Sequence, residues 1–303
     1  MPEDGVEWIG HEKILSYEEI FFLVKILCDH GVKKIRFTGG EPLIRKGMVP
    51  FLEKVTISFP KLRIALTTNG STLAEHARSL AGLGLASVNI SLDTLDAEKF
   101  SGMTRGASLQ HVLDGIDVLI SHVSRAVTEI KMNAVLIRGF NDDDMIERLT
   151  AFAFEKGILL RFIEFMPLHS DLWSMEMFMP FSEALARLGG TSNWAEEKAE
   201  GISSAGPARY YVNSVTGQRI GVISAVTSHF CESCNRLRVT STGEVRVCLF
   251  GSGQVSMTEA IRARDEKKVL ELLLEAAAMK PESGATHHKA VRCEDTNMYK
   301  IGG

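Results

Sequence analysis

Three of the five cysteines stand close together in the sequence, as Cys231-Glu232-Ser233-Cys234 followed by Cys248. Two cysteines separated by two residues can grip one metal centre from a tight turn, and such thiolates hold zinc or an iron–sulfur cluster. A structural zinc site normally has four protein ligands, and His229 is near enough in the sequence to be the fourth. The pattern leaves two alternatives: a small zinc knuckle, or a three-thiolate site with one open metal position.

Two arginines follow this pair of cysteines. Arg236 and Arg238 are two residues apart on a segment that reads as a strand, so both side chains point the same way. An anion bound beside the metal would meet both of them. Ser241-Thr242-Gly243 reads as a turn that brings Cys248 back beside Cys231. The open-site alternative therefore predicts an anionic ligand next to the metal, whereas the zinc alternative leaves two solvated arginines.

Strand and helix patterns alternate through the first half of the chain. Ser16-Tyr17-Glu18-Glu19 is a capping box, and the helix that it begins is predicted to end at Gly31. The strands are predicted at 33–38, 62–68, 87–92, 128–136 and 160–165, and the further helices at 46–57, 72–83, 109–122 and 143–156. This alternation predicts βα units around a parallel sheet.

Four of these strands carry polar residues at alternate positions. Parallel strands are usually apolar on both faces, because helices cover both. A polar face is typical of the inside of a barrel or half-barrel that holds a polar ligand, and the alternative is a sheet with one wet face. The polar positions are Lys34, Arg36, Thr38, Arg63, Thr67, Ser87, Asn89, Ser91, Glu129, Lys131 and Asn133.

The second half of the chain is less regular. It predicts a short helix at 181–185, a hairpin of 209–212 with 219–222, and strands at 236–240 and 244–247. A last helix is predicted at 265–280, with Leu270, Leu273, Leu274 and Ala277 as its apolar stripe. We predict an α/β fold: a partial parallel barrel over residues 1–200 and a metal-bearing C-terminal region over 201–303.

Composition limits the function classes. The net charge of −4 and the pI near 6.2 argue against a nucleic-acid or anionic-membrane surface, so a phosphate site has to be built from local cations. No apolar run approaches the roughly 20 residues that cross a bilayer. The few, unevenly placed cysteines argue against a disulfide framework and fit a reducing cytoplasm.

Motifs at the strand ends carry a resemblance to a known family. The motifs are Thr38-Gly39-Gly40-Glu41-Pro42, Thr67-Thr68-Asn69-Gly70, Asn89-Ile90-Ser91-Leu92-Asp93 and Arg161-Phe162-Ile163-Glu164-Phe165-Met166. Together they resemble the radical S-adenosylmethionine (SAM) barrel. With the three cysteines and Asn235-Arg236-Leu237-Arg238, the chain more narrowly resembles the GTP 3′,8-cyclases of molybdenum cofactor biosynthesis. Its tail, Met298-Tyr299-Lys300-Ile301-Gly302-Gly303, is similar to that family's double-glycine terminus.

The resemblance implies a reaction and its residues. The family cyclises GTP to (8S)-3′,8-cyclo-7,8-dihydroguanosine 5′-triphosphate through a 5′-deoxyadenosyl radical. Cys231, Cys234 and Cys248 would ligate a [4Fe–4S] cluster whose open iron takes the guanine base, and Gly302 and Gly303 would reach into the active site as catalytic residues. SAM would be contacted by Gly39, Gly40, Glu41, Ser91 and Met166. GTP would be contacted by Lys34, Arg36, Thr67, Lys131, Arg161, Arg236 and Arg238.

Two other functions compete with this one. The first is a non-catalytic GTP-binding iron–sulfur protein, and the second is a radical SAM enzyme whose auxiliary cluster serves a peptide substrate. The paired arginines after Cys234 favour GTP over a peptide. As partners the resemblance implies the next enzyme of the molybdopterin pathway and leaves room for a homodimer. It names no electron donor, and we assign no role to His287, His288 or Cys293.

The sequence departs from the family at its beginning. The family holds a first cluster with a Cys-x3-Cys-x2-Cys motif ahead of the first helix, whereas no cysteine here precedes Cys28, which is predicted to be a buried thiol inside a helix. Met1-Pro2-Glu3-Asp4-Gly5 resembles the residues that follow the motif in the family. We therefore expect a fragment or a mis-set start codon, with the motif encoded in frame upstream.

A first prediction follows for a chain that truly starts at Met1. Such a chain is expected to form no 5′-deoxyadenosine from SAM, because it has no ligands for the cluster that delivers the electron. The measurement is an anaerobic assay of the 303-residue chain with SAM and a strong reductant. Formation of 5′-deoxyadenosine above the level of a protein-free control would contradict it.

Overall fold

The computed structural model describes residues 9–168, 173–197, 206–228, 230, 231, 234–250 and 253–280. The α-helices in these ranges are α1 Tyr17–Asp29, α2 Met48–Ser58, α3 Leu73–Ala81, α4 Ala97–Thr104, α5 Leu109–His122, α6 Met145–Glu155, α7 Phe181–Arg187, α8 Gly190–Asn193, α9 Thr258–Arg262 and α10 Glu266–Ala278. None of them is long and apolar enough to cross a membrane.

The strands are β1 Lys34–Phe37, β2 Arg63–Thr68, β3 Ser87–Ser91, β4 Glu129–Leu136, β5 Leu159–Glu164, β6 Trp194–Glu196, β7 Arg209–Asn213, β8 Arg219–Ile223, β9 Arg238–Val239, β10 Glu244–Arg246 and β11 Gln254–Ser256. The five predicted strands of the first half and the helices predicted between them are all present. Their ends differ from the predicted ends by at most two residues, which is the usual uncertainty of a boundary.

The predicted capping box begins α1. Ser16 Oγ accepts a hydrogen bond from the Glu19 amide at 3.2 Å, and the Ser16 amide donates to Glu19 Oε2 at 2.6 Å. Two amides at the helix start, which would otherwise lack partners, are thereby satisfied. The chain leaves the helix at Gly31, whose φ of +85° lies in the left-handed region that glycine tolerates.

The described strands form an open sheet and a smaller one. Eight strands follow the order β1-β2-β3-β4-β5-β8-β7-β6, and three follow the order β11-β10-β9. β3 with β4, β4 with β5, and β5 with β8 pair in parallel, while β7 pairs antiparallel with both β8 and β6. Because the eight-strand order is a row with β1 and β6 at its ends, the barrel is incomplete, as predicted.

Some elements were not predicted. The helix α4 is capped by Asp96, whose Oδ1 accepts from the amides of Glu98 and Lys99 at 2.9 Å each. The strands β6 and β11 are only three residues long. The hairpin of β7 and β8 was predicted, but its place in the main sheet was not. That place depends on pairing such as Leu160 with Ile220, two residues far apart in the sequence.

The predicted apolar stripe of α10 is wrong in part. Leu273 is buried, but Leu274 is 61% exposed, and the other buried positions are Val269 and Ala276. These three are spaced four and three residues apart, so they share one face of the helix. That face packs on Val245 and other buried residues of the smaller sheet, which fixes the rotation of the helix.

The chain divides into two compact units, each with its own core. Unit A contains the described residues of Met1–Ala65, Leu168–Ser170 and Cys231–Gly303, and unit B those of Leu66–Pro167 and Asp171–Phe230. In unit A, α1, α9, α10 and the smaller sheet share one core. Since neither unit is one continuous stretch of chain, the predicted boundary near residue 200 stays a prediction.

A pair of glycines gives a test of packing in unit B. A Cβ on Gly115 in α5 would lie 2.8 Å from the Ala74 amide nitrogen and 2.9 Å from Leu73 Cβ, whereas one on Gly102 in α4 would meet nothing within 4 Å. We expect Gly115→Ala to lower the free energy of unfolding by about 1–3 kcal/mol, because α3 and α5 would have to separate. Gly102→Ala is expected to change it little or to raise it by up to about 1 kcal/mol. Urea unfolding measures the free energy of unfolding of both variants. Equal changes in the two variants would show that the contact of α3 with α5 is not tight.

Candidate active site

Arg161 is the centre of a buried polar network in unit B. Its Nε donates to Asn133 Oδ1 at 2.9 Å, and its Nη2 donates to the Oδ1 atoms of Asn133 and Asn89 at 2.8 Å each. Asn133 lies opposite Arg161 on β5 and opposite Ser91 on β3, so these polar side chains share one face of the sheet. The amide oxygens orient the guanidinium group without neutralising it. The polar face predicted for β3 and β4 is present here and extends to β5.

Gly221 on β8 makes room for the arginine. It lies opposite Arg161, and a Cβ there would be 2.8 Å from Arg161 Cγ and 3.0 Å from Tyr210 Cε1. Burial lowers the pKa of Arg161, while the neighbouring Tyr210 and Glu129 act in the opposite direction. Neither Gly221 nor Tyr210 was identified as a site residue from the sequence, because only the pairing of β5 with β8, and of β8 with β7, brings them to Arg161.

Lys131 on β4 is a second buried cation on the same face. It is 2% exposed, and its Nζ lies 2.7 Å from Oε2 of Glu129, a side chain that is 39% exposed. A buried lysine without a partner is costly, so the ion pair with this carboxylate offsets part of the cost of burying the ammonium group. Glu129 was placed on the polar face from the sequence, but its role as the partner of Lys131 was not predicted. The available signal was the spacing of two residues, which puts both side chains on one side of a strand.

The other site residues predicted in unit B lie on or beside the same strands. Thr67 is buried near the end of β2, Ser91 is exposed at the end of β3, and Met166 is half-buried two residues after β5. The ends of β3 and β5 are where parallel βα folds place their ligands. The assignment of Ser91 and Met166 to SAM, and of Thr67 to GTP, stays a prediction.

Two side chains fix the ends of β3 and β4. Asp93 Oδ1 accepts from the Val135 amide at 2.7 Å, and Asn141 Nδ2 donates to the carbonyl oxygens of Asp93 and Val135 at 2.9 and 2.8 Å. Burial raises the pKa of Asp93 to about 6, although the hydrogen bond from Val135 acts against the rise. These contacts hold the segment that carries Ser91.

A buried carboxylate holds the end of β5 in the same way. Glu164 is fully buried and accepts hydrogen bonds from the amides of Phe181, Val226 and Thr227 and from the Thr227 hydroxyl, at 2.6 to 3.3 Å. In the sequence, Glu164 stands out only as part of a motif. Its donors lie 17 to 63 residues away in the sequence, so no local pattern could have identified them.

In unit A, the first group of predicted residues lies on β1 and in the segment that directly follows it. Lys34 is half-buried and Arg36 is exposed on that strand. Glu41 Oε1 accepts from the Leu43 amide at 3.0 Å and so caps the short 3₁₀ helix Pro42–Ile44. A Cβ on Gly39 or Gly40 would meet nothing within 4 Å. The packing of the described residues therefore does not require either glycine, which leaves close approach of a ligand as a reason for them.

The cysteines of unit A lie in a basic environment. The Cys234 amide donates to the Cys231 carbonyl oxygen at 3.0 Å, which closes the predicted tight turn. Burial raises the pKa of the Cys234 thiol, but hydrogen bonds and charge from Arg236, with the charge of Lys280, outweigh burial and lower it to about 7. For Arg238, burial and then the charge of Arg236 lower the pKa, while Cys234 and Cys248 raise it. The predicted cysteines and arginines are thus brought together.

Lys280 was not recognised from the sequence as part of this group. Its Nζ donates to the carbonyl oxygens of Arg236 and Val247 at 2.8 and 3.1 Å. These residues stand next to the segments that carry Cys234 and Cys248, so one ammonium group ties the two segments. The signal in the sequence was weak, because a lysine at the end of a helix is also expected from the helix dipole alone.

The donor set of unit A fits an iron–sulfur cluster. Cys231, Cys234 and Cys248 are all half-buried free thiols, and a thiol whose pKa is lowered by nearby cations readily supplies a thiolate ligand. Within the described ranges, no three His, Cys, Asp or Glu side chains converge closely enough to hold a single metal ion. Cysteine thiolates are the usual protein ligands of iron–sulfur clusters, and these three are the thiols that the sequence predicts for one.

Several residues considered from the sequence lie outside the described ranges. They are His229, the fourth ligand of the zinc alternative, the catalytic candidates Gly302 and Gly303, and the unassigned His287, His288 and Cys293. Cys28 is described, and it lies half-buried within α1 as expected for a structural thiol. Burial and, to a smaller extent, Asp29 raise the pKa of its thiol, which makes it a poor metal ligand compared with Cys234.

Comparison with known proteins defines the class. Residues 2–151 match the model of the radical SAM superfamily, and residues 158–286 match the family model described as Molybdenum Cofactor Synthesis C. Among solved structures, "Native anSMEcpe with bound AdoMet" superposes with a TM-score of 0.48 at 17% identity, over 62% of this chain and 53% of that one. The two family matches describe a radical SAM protein of molybdenum cofactor synthesis.

Curated relatives identify the family within that class. The chain is 39% identical to the GTP 3′,8-cyclase of Peptoclostridium acidaminophilum, over all of this chain and 90% of that protein. It is 37% identical to the enzyme of the same name from Hydrogenovibrio crunogenus and 36% identical to that from Thermodesulfovibrio yellowstonii, over all of this chain and 91% and 92% of those proteins. The chain belongs to the GTP 3′,8-cyclase family.

The metal content distinguishes a cluster from a zinc knuckle. After anaerobic reconstitution with iron and sulfide, we expect about four irons per chain, measured by iron and acid-labile sulfide analysis. Cys234→Ala is expected to lower the iron content to less than half, because it removes one of three thiolates. Cys28→Ala is the matched control and is expected to keep the full content. About one zinc and no iron per chain would contradict the cluster.

Proposed function

We propose that this chain serves the reaction of its family, the radical SAM cyclisation of GTP to (8S)-3′,8-cyclo-7,8-dihydroguanosine 5′-triphosphate. The observation that carries the proposal is the alignment of the whole chain with curated GTP 3′,8-cyclases at 36 to 39% identity. The arginines beside the cysteines support it, because a nucleoside triphosphate needs cations and a peptide substrate does not. This product starts the synthesis of molybdopterin.

Cys231, Cys234 and Cys248 are the residues that would hold the [4Fe–4S] cluster of this site. Three thiolates leave one iron without a protein ligand, and that position is what the cluster supplies to a substrate. Arg236 and Lys280 favour the thiolate form of Cys234. Arg238 lies close enough to Cys234 and Cys248 for their charges to act on it, so an anion bound beside these thiols would meet a half-buried arginine.

GTP would be held by cations that the fold has already desolvated. Lys131 and Arg161 in unit B are 2% and 6% exposed, and in unit A burial is the main cause that lowers the pKa of Arg238. A charge-assisted hydrogen bond contributes about 1.5–3 kcal/mol, so a few such contacts are enough to hold a triphosphate. Lys34, Arg36, Thr67 and Arg236 complete the set that we assign to GTP.

SAM is assigned to Gly39, Gly40, Glu41, Ser91 and Met166, and the catalytic role in the tail to Gly302 and Gly303. When bound, SAM and its own cluster supply the radical chemistry of the superfamily. No Cys-x3-Cys-x2-Cys motif occurs in the 303 residues, and Cys28 stands alone in α1, so the residues present do not fit that first cluster. The next enzyme of the pathway and a homodimer remain predicted partners.

The role of Lys131 in GTP binding can be tested against a matched lysine. Lys131→Met is expected to weaken GTP binding by the reconstituted chain at least tenfold, because a charge-assisted contact is lost. Lys156 also pairs with a carboxylate, Asp117, at 2.6 Å, and Lys156→Met is expected to leave GTP binding unchanged. Equilibrium dialysis under anaerobic conditions, with ATP as the competing nucleotide, gives the affinities.

Replacing the partner of Lys131 is expected to have the opposite effect on the affinity for GTP. Glu129→Gln removes the carboxylate that competes with a phosphate for Lys131, so GTP is expected to bind severalfold more tightly. Equal losses in Lys131→Met and Lys156→Met would contradict the assignment of Lys131. A wild-type reconstituted chain that is protected from proteolysis by a peptide and not by GTP would overturn the proposed function.

A further inference from the structure

Arg246 shares the face of the small sheet on which Arg238 lies. The register of β9 and β10 places Arg246 directly opposite Arg238, and Val245, the residue before it, lies opposite Val239. Val245 is fully buried in the core of unit A, and side chains alternate between the two faces of a strand. Arg246 and Arg238 therefore share the face away from this core. Arg246 was not identified from the sequence, because only the pairing of the two strands reveals the relation.

Like charges placed opposite each other on neighbouring strands destabilise a sheet, and the described residues offer this pair little relief. The Nε of Arg246 is buried and has no hydrogen-bond partner within those residues. On the other side of Arg246, the partner on β11 is the uncharged Gln254. Glu244 lies two residues from Arg246 on the same face, but no ion pair joins it to Arg246 within the part of the chain that the structure describes.

A cluster held by the cysteines is one source of negative charge near this pair, and a bound anion is the other. Arg246 lies opposite Arg238 on the same face of the sheet, so the two guanidinium groups together need more negative charge than either one alone. An anion with several charged groups in a row would reach both of them, and the iron content distinguishes its effect from that of the cluster.

We propose that Arg246 is a further substrate-binding residue, which binds the polyphosphate chain of the nucleotide beyond the groups that Arg238 contacts. The inference rests on the proposed function, since it takes the nucleotide to be bound at this site. A guanidinium group offers a planar fork of donors that matches phosphate oxygens, and a buried Nε without an acceptor would gain one. A chain of phosphates suits the pair better than a single anion, because the two arginines lie on neighbouring strands and each can take a different phosphate.

The test compares ligands that differ in phosphate number. GTP, GDP, GMP, guanosine and inorganic tripolyphosphate are bound to the anaerobically reconstituted chain, in the wild type and in Arg246→Gln, by equilibrium dialysis. Arg246→Gln is expected to weaken the binding of GTP and tripolyphosphate about tenfold and the binding of GMP less than twofold. The binding of guanosine is expected to stay unchanged. Iron content and the absorption spectrum of the cluster are expected to stay at wild-type values.

Two further variants complete the experiment. Arg78 is exposed on α3, and Arg78→Gln makes the same change of charge with no expected effect on any of the ligands. Arg246→Lys keeps the charge and loses the fork, so it is expected to recover part of the affinity for GTP. If Arg246→Gln fails to fold, Arg246→Lys decides alone, with a severalfold loss for GTP expected and an unchanged affinity overturning the inference.

The outcomes separate the inference from the proposed function. Wild-type affinity for GTP in Arg246→Gln would overturn the inference and leave the proposed function standing. Loss of iron in Arg246→Gln, with equal weakening of GTP and guanosine, would show that Arg246 serves the cluster, and would overturn the inference as well. A wild-type chain that binds tripolyphosphate but not GTP would overturn the proposed function.

Discussion

Burial of positive charge is the constraint on which the rest of this structure depends. Lys131 and Arg161 are almost completely removed from water, and an isolated buried cation costs several kcal/mol. The fold meets the cost with partners that compensate each charge only in part. Arg161 is held by two neutral amides, and Lys131 is paired with a carboxylate that remains 39% exposed. The polar strand face and the carboxylate of Glu129 supply these partners, and Gly221 leaves room for the side chain of Arg161.

Unit A meets the same constraint with different chemistry. Its cations surround thiols, and the interaction is mutual: Arg236 and Lys280 favour the thiolate of Cys234, and the thiols in turn favour the charged form of Arg238. Thiols must lose their protons before they bind a metal. Nearby cations make this loss easier, so thiols in such surroundings bind a metal without the help of a separate base. The arginines beside Cys234 therefore bear on the cysteines as well as on an anionic substrate, so a change at Arg236 affects both.

Strand alternation allowed much of the fold and part of the site to be predicted from sequence. The period of two placed Lys131 and Asn133 on one face, and the capping box placed the start of α1, because both signals are local. Contacts between distant segments carried no such signal. Glu164 receives hydrogen bonds from residues up to 63 positions away, Gly221 reaches Arg161 only through the pairing of β5 with β8, and the face that α10 buries is set by the small sheet on which it packs. The roles that the family resemblance assigned to the SAM and GTP residues rest on motifs and stay predictions.

The overall charge of the chain argues against a broad surface for nucleic acid or anionic membrane, so a phosphate site has to be built from local cations. The chain carries 38 acidic and 34 basic residues, so its net field does not attract GTP. Exposed charges are screened by salt over about 10 Å, whereas buried charges are screened much less. A few desolvated cations therefore outweigh many solvated carboxylates at close range. It follows that recognition depends on where lysine and arginine lie in the strands and not on how many there are, so exchanges of surface charge matter less than the partners of Lys131 and Arg161.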